Sequence, residues 1–315
     1  MTFPRYVTDG SYGIRVNVAN ARYWHTSPEM KVQFRINSMG MRSDREYSFD
    51  KPQDTIRVVG LGDSFTLGYE ADVTETYLYR LEELLKADGY PVEVINLGVS
   101  GYGTAEELIM LKEFGFRFHP DVVIAAFYQN DLADNVRSNL YRLDKDGRLI
   151  RASSSYLPAV GIRNKLYSFW LYRWLAENSQ LLSLARESIS VFVKRKMVTA
   201  RDTTNVKHRN DSYPSILTGR LLDRIKAECS ERGVEFLLLD IPRHTLAESH
   251  LAMTSLEQVL PEEVVQVAPS LRAQGPNTHL YRRRGSFHWT PQAHEIAAML
   301  LAQKLCGKLD DLQLR

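Results

Sequence analysis

Cysteine is scarce in this chain of 315 residues: Cys229 and Cys306 are its only two. They are far apart and form no Cys-x-x-Cys pair, so neither a disulfide framework nor a thiolate zinc site is expected, and reduced thiols fit best. Long apolar runs are missing as well. Nowhere do eighteen apolar residues follow one another, which excludes a transmembrane segment of ordinary helical length. The N-terminus, "MTFPRYVTDGSYGIRV", holds no apolar stretch of signal-peptide length. The expectation from these absences is a cytoplasmic protein. Charge of one sign is lacking too: 40 Lys and Arg stand against 38 Asp and Glu, a net charge of +2, which gives no electrostatic case for nucleic acid as a partner. No HExxH and no Cys/His spacing of a metal site occurs, so no metal or other cofactor is expected. Internal repeats and low-complexity tracts are absent.

What is present is an ordinary globular composition, 44% hydrophobic and 25% charged, enough for one large domain or one domain carrying an insertion. Residues 1–54 are polar and aromatic with short alternating stretches such as "KVQFRIN", expected as a β-rich extension packed on the core. From residue 55 the pattern becomes strands alternating with helices. "IRVVGL" (56–61), "VEVIN" (92–96), "VVIAAFY" (122–128) and "VEFLLLD" (234–240) read as strands buried on both faces. Helices are expected over 76–89, over 104–115 with Thr104 as cap, and over 290–305 with Thr290 as cap and Pro291 at the first helical position. Such alternation predicts a parallel sheet with right-handed crossovers, hence a three-layer α/β/α sandwich. Its core spans 55–135 and 214–315.

Residues 136–213 interrupt that rhythm. They carry 15 Lys and Arg against 6 Asp and Glu, and "NKLYSFWLYRWLAENSQLLSLARESISVFVKRK" (164–196) reads as two helices rich in aromatics and leucine. The segment is expected as a basic helical insertion packed on the core, or as a lid whose basic face attracts an anionic substrate, an acidic carrier or a membrane surface.

The chemistry concentrates at "VVGLGDSFTLG" (58–68). A dinucleotide fingerprint would need glycine where Phe65 stands, and a phosphate loop would need Gly-Lys-Ser/Thr where Gly68 is followed by Tyr69 and Glu70. Both phosphate readings fail. A nucleophile fits: Ser64 lies just past the carboxyl end of a strand, where open parallel sheets gather their reacting groups. A serine hydroxyl needs a base to take its proton, and the oxyanion formed on attack needs donors already aimed at it. "NLGVSGYGT" (96–104) and "YQNDLADN" (128–135) follow the next two strands and supply a glycine N–H and an asparagine amide. Asp63 reads as a turn former, and His294 as a helix-face residue.

These blocks resemble the SGNH/GDSL hydrolase family of esterases and lipases. "GLGDSFTLG" is similar to its first block, with Ser64 as nucleophile and first oxyanion donor. "NLGVSGYGT" is similar to the second, where Gly101 matches the oxyanion glycine better than Gly98. "QNDLADN" is similar to the third, with Asn130 as side-chain donor, and "GSFHWTPQAHEIAA" (285–298) to the last, with His288 as base. "INSMGMR" (36–42) also resembles a segment ahead of this core in bacterial relatives. The resemblance implies a flavodoxin-like sheet and a metal-free esterase working through an acyl-enzyme on a small-molecule, carbohydrate or lipid ester; it is the basic insertion, not the resemblance, that points to an anionic or carrier-bound substrate.

One element of the pattern is missing. The family's last block carries an aspartate two or three residues before the histidine, and here those positions are Ser286 and Gly285, preceded by "RRR" (282–284). That third member orients the imidazole and stabilises the imidazolium. Three readings follow: a backbone carbonyl near Gly285 or Ser286 completes a dyad; the Ser286 hydroxyl, or a carboxylate from elsewhere such as Asp240 after a strand, substitutes; or the site is crippled or repurposed. An acyltransferase using the same residues and a non-catalytic binding module are the rival functions.

Overall fold

The computed structural model describes residues 7–9, 12–155, 169–172, 174, 212–245, 251, 254–275, 278–284 and 287–313. Five parallel strands form the centre: β5 (Ile56–Leu61), β6 (Val92–Asn96), β7 (Val122–Tyr128), β10 (Glu235–Ile241) and β11 (Val264–Gln266). Their spatial order is β11-β10-β7-β5-β6, so in chain order the sheet runs 2-1-3-4-5, the flavodoxin-like arrangement. The four strands expected from apolar runs are all present, and β11, with only three residues, escapes a pattern search.

Alternation along each strand divides the core into two layers. Val58, Val94, Ile124, Leu237 and Leu239 face one cluster, which helices α2 (Tyr77–Ala87) and α7 (Pro291–Gln313) cover with Leu78, Leu81, Leu85, Ala297 and Leu301. Val59, Ile95, Val123, Phe236 and Leu238 face the other, covered by α3 (Thr104–Glu113) and α5 (Tyr213–Ser230). Strands buried on both faces have no polar side to show, which is why they read as continuous apolar runs. Between β5 and α2 lies the short α1 (Ser64–Leu67), α4 (Asn130–Ser138) follows β7, and α6 (Ala268–Ala273) precedes the last loop. Pro291 is the first residue of α7, as expected. Thr104 is not a cap: Gly103 holds that position, and the Thr104 hydroxyl donates instead to Asp131 Oδ2 at 3.1 Å. The Thr290 hydroxyl likewise donates to His279 O at 2.8 Å.

The N-terminal extension is two antiparallel ribbons, β1 (Val7–Asp9) with β2 (Arg15–Asn17) and β3 (Arg22–Thr26) with β4 (Lys31–Arg35). It is fixed to the core by charge. Arg45 grips Glu82 with two 2.7 Å bonds, and the buried Arg57 on β5 donates to Glu93 at 2.6 Å and to the carbonyl of Phe49 at 3.1 Å.

Past the end of α4 at Ser138, residues 141–151 of the expected helical insertion are not helical. Tyr141–Leu143 (β8) and Leu149–Arg151 (β9) pair as a hairpin, because "DKDG" (144–147) is a tight turn in which Asp144 Oδ1 accepts the N–H groups of Asp146 and Arg148, both at 2.9 Å. The two helices expected over 164–196 lie almost wholly outside the described residues. Within that stretch Phe169, Trp170, Leu171 and Trp174 are exposed. Among the described residues no helix is long and apolar enough to cross a membrane.

Candidate active site

Three successive strand ends converge at the switch point of the sheet, where the chain leaves β5 for β6 on one side and returns to β7 on the other. Ser64 opens α1 directly after β5. Asp63 caps that helix, its Oδ1 accepting the Phe65 N–H at 2.8 Å, so it is the turn former the sequence indicated. As the first residue of a helix, Ser64 has an N–H with no intrahelical acceptor. Its hydroxyl Oγ lies 2.7 Å from Nε2 of His288, 224 residues away in sequence.

His288 is delivered by a short antiparallel loop ahead of α7. Arg282 N–H donates to His288 O at 2.9 Å, Thr290 N–H to Leu280 O at 3.0 Å, and the Tyr281 hydroxyl to Pro242 O at the end of β10. Phe287, just before the histidine, has φ +58°, which is costly for an aromatic residue and marks a loop held against local preference. The imidazole packs between Phe65 and Tyr69, with ring centroids 4.9 and 5.0 Å away.

The two glycines of the second block have different tasks. The Gly98 N–H is already committed to Asn96 Oδ1 at 2.8 Å, and Asn96 in turn donates to Thr66 O at 2.7 Å. A Cβ at Gly98 would stand 2.5 Å from Leu67 N, so this glycine lets the nucleophile's helix seat against the loop. Gly101 has φ +80° and its carbonyl accepts from Arg15 Nη2 at 2.5 Å. Gly98 therefore has its N–H occupied, and Gly101 makes the turn. Asn130, first residue of α4, points its amide nitrogen at Asp63 Oδ2 (3.3 Å) and Asp134 Oδ2 (3.2 Å), and its Oδ1 has no partner among the described residues.

Of the candidates for a third member, Ser286 and Gly285 lie outside the described residues. Asp240 is buried near the end of β10, in register with Phe127 and Gln266. The carboxylate found at the imidazole is a different one. Glu70, only 1% exposed, places Oε2 3.8 Å from His288 Nδ1 and Oε1 4.0 Å from Nε2 of His25 on β3. Sequence reasoning allowed a carboxylate from elsewhere in the chain but named Asp240, whereas Glu70 sits six residues after the serine. The usable signal was an acidic residue in the turn that closes the nucleophile's own helix.

Around this corner burial governs the titrations. It lowers His25 to about 4 and His294 to about 3, so both are neutral imidazoles; His294 lies inside the core, its Nδ1 accepting the Tyr77 N–H at 3.3 Å. Burial also pushes the Asp63, Glu107 and Asp131 carboxyls up, and Glu106 up to about 7. Among the described residues no cluster of His, Cys, Asp and Glu is arranged to hold a metal ion.

The model of the GDSL-like lipase/acylhydrolase family matches residues 61–296, three quarters of the chain. The chain belongs to that family. It is thereby a GDSL-like carboxylic ester hydrolase by class, and its sheet order is the one expected of the fold. The comparison with curated proteins returned no match. Among solved structures, similar chains include the crystal structure of TesA (13% identity, 80% of this chain and 98% of that one, TM-score 0.44). A Clostridium thermocellum family 3 carbohydrate esterase is also similar (14% identity, 82% and 99% covered, TM-score 0.44). So is a lipase/acylhydrolase from Enterococcus faecalis (15% identity, 80% and 96% covered, TM-score 0.43).

Proposed function

We propose that this GDSL-like hydrolase cleaves a carboxylic ester through an acyl-enzyme on Ser64. The observation that carries the reading is the 2.7 Å contact between Ser64 Oγ and His288 Nε2. At that distance a neutral imidazole with its proton on Nδ1 accepts the hydroxyl proton as Oγ bonds to the ester carbon. The carbonyl oxygen becomes an oxyanion facing the N–H groups of Ser64 and Gly101 and the Asn130 amide. Collapse breaks the bond to the alcohol oxygen, which leaves with the proton held on Nε2. Water then enters, gives a proton to Nε2, and attacks the acyl carbon; the serine departs with that proton and the acid is released. Each donor is worth on the order of 10² to 10³ in turnover.

Asn130 must turn part-way from its carboxylate partners to serve the oxyanion, which fits donors that tighten only when substrate is bound. The substrate class we propose is an O-acyl or O-acetyl ester of a small molecule, sugar or lipid.

The test is covalent labelling by a fluorophosphonate probe, read by intact mass, on the wild type, Ser64→Ala and His288→Ala, beside hydrolysis of acetyl and longer acyl esters. Labelling lost in Ser64→Ala and sharply slowed in His288→Ala is expected. A folded wild type that does not label refutes the mechanism. Supplying alcohol acceptors in the same assay distinguishes transfer from hydrolysis: a new ester formed while acid release falls would make the chain an acyltransferase.

A further inference from the structure

Neutral His288 can accept a proton at Nε2 only while Nδ1 carries one, and the imidazolium that follows must be stabilised by something facing Nδ1. The sequence block that normally supplies an aspartate for this has none. Among the described residues, the carboxylate facing it is that of Glu70, with Oε2 at 3.8 Å. We propose that Glu70 is the positioning carboxylate of His288, delivered from the turn behind the nucleophile instead of from the histidine's own loop. This rests on the serine-esterase reading above and adds to it the residue that fixes the tautomer.

Four features of the corner support the assignment. First, Glu70 is held in a left-handed conformation, φ +64°, which a non-glycine residue adopts at a cost and keeps only where its surroundings impose it. Second, those surroundings are built for the purpose. Arg42, itself buried, spans the turn on both sides of Glu70, donating to the carbonyls of Leu67 (3.0 Å), Gly68 and Ala71 (2.6 Å), while Tyr69 N–H closes on Ser64 O at 2.9 Å. Serine and carboxylate therefore sit on one rigid unit, and His288 docks between them. Third, His25 stands behind the carboxylate. It is 1% exposed, its Nε2 has no hydrogen-bond partner among the described residues, and it faces Glu70 Oε1 at 4.0 Å. Fourth, Tyr69 closes the gap between the two imidazoles, its ring 4.1 Å from His25 and 5.0 Å from His288.

Among the described residues, the charged and titratable groups around Glu70 include His25 from β3, His288 from the loop before α7, and Arg42 from the segment after β4; Asp63 at the start of α1 and His294 on α7 also act on His288. Asp72 and Glu75 act on Arg42 from the turn beyond. His25 is kept neutral by burial and brings no competing cation to the carboxylate. At 3.8 Å the contact with His288 is an ion-pair separation, about 1 Å beyond a hydrogen bond, so its value rises when the imidazolium forms. That is when catalysis needs it.

The experiment compares full-length wild type with E70Q, which keeps the shape and removes the charge. Folding is checked by circular dichroism, then fluorophosphonate labelling and kcat/KM for an acetyl ester are followed across the pH range in which both stay folded. E70Q should slow both by on the order of 10²- to 10⁴-fold. It should also move the acid limb of the kcat/KM profile to lower pH, because the charge that favours the imidazolium is gone. A purely structural glutamate would lower the rate without moving that limb. A folded E70Q whose acid limb stays in place overturns the proposal whatever its rate, while the serine reading survives if the wild type labels. A wild type that neither labels nor turns over fells both. Should E70Q fail to fold, the wild type decides: proton NMR with the imidazole protonated should show a downfield Nδ1–H signal that His288→Ala removes, and its absence overturns the proposal.

Discussion

Replacing Arg42 by methionine should unfasten the site from the side opposite the chemistry. Arg42 comes from "INSMGMR", outside the matched family region, yet it is 2% exposed and donates to the carbonyls of Leu67, Gly68 and Ala71. Its guanidinium also lies 3.8 Å from the centre of the Phe34 ring. Methionine retains the packing volume and leaves three carbonyls without their donor. Each costs about 1–3 kcal/mol if it stays buried and unpaired. Against that sum stands the desolvation of the guanidinium, which burial lowers to about 10, so removing it gives some free energy back. The net loss is about 2–4 kcal/mol, or a fall in Tm of roughly 4–8 °C for a chain of this size. Thermal unfolding by circular dichroism measures it. Because Ser64 and Glu70 lie on the turn that Arg42 spans, kcat/KM below the transition should fall by more than about tenfold, as misplacement by a fraction of an ångström does. Arg42→Lys supplies a point charge that cannot reach all three carbonyls, and should fall between the two. An Arg42→Met protein within about 1 kcal/mol of wild type, with unchanged kcat/KM, would refute the idea that the extension holds the nucleophile's turn.

Gly98→Ala puts a Cβ 2.5 Å from Leu67 N and 2.8 Å from Thr66 C, both backbone atoms, so it should cost about 1–3 kcal/mol and reduce Ser64 labelling; calorimetry and intact mass read the two effects. Gly101→Ala is less crowded, with Arg15 Nη2 nearest at 3.1 Å, but its φ of +80° charges about 1–2 kcal/mol and tilts the proposed oxyanion N–H; kcat should fall more than KM changes. Burial raises Glu106 to about 7, so it favours the protonated form. For such a group the stability is fully present below the unfolded carboxyl value and is lost as pH rises through about 7. Glu106→Gln, neutral at every pH, should therefore match wild type in acid and exceed it by roughly 3 kcal/mol in mild alkali, read as a Tm difference that opens between those limits.

Much of the site was legible because its residues are tied to strand ends. Ser64, Gly101 and Asn130 each follow a strand whose run of apolar residues marks it unmistakably, and parallel topology then forces the three ends together. His288 was legible through its place just before Pro291 and the start of a long helix. Glu70 was not, for a physical reason: its position depends on a left-handed turn stabilised by Arg42, and neither the turn nor the distant arginine leaves a local pattern. His25 hides likewise on a ribbon where one inward side chain in "RYWHT" has no periodic neighbours to announce it. The hairpin at 141–151 was misread for the opposite reason. Its turn, "DKDG", is a clear local signal, but the basic, leucine-rich sequence beyond it dominated the reading of the whole segment.

The buried acids beside the site make sense only if they are not all charged. Asp63, Glu107 and Asp131 are each almost fully inaccessible, and burial raises all three; Asp63 also raises Glu107, and Glu107 and Asp63 both raise Asp131. Both oxygens of Glu107 lack a hydrogen-bond partner among the described residues, and Asp131 has the Thr104 hydroxyl on Oδ2 but nothing on Oδ1, so a charge would be uncompensated on Glu107 and weakly compensated on Asp131. Asp63 alone has two donors, the Phe65 N–H and the Asn130 amide, and it is where one negative charge is held best. That same carboxylate caps the helix beginning with Ser64 and occupies the donor that an oxyanion would use. In the proposed mechanism, forming the tetrahedral intermediate means drawing Asn130 from a fixed carboxylate toward a new alkoxide, an exchange of one charge-assisted hydrogen bond for another. On that proposal the gain is smaller than for an idle donor, and the larger share of oxyanion stabilisation would fall to the backbone N–H groups of Ser64 and Gly101, the latter in a turn whose carbonyl Arg15 holds.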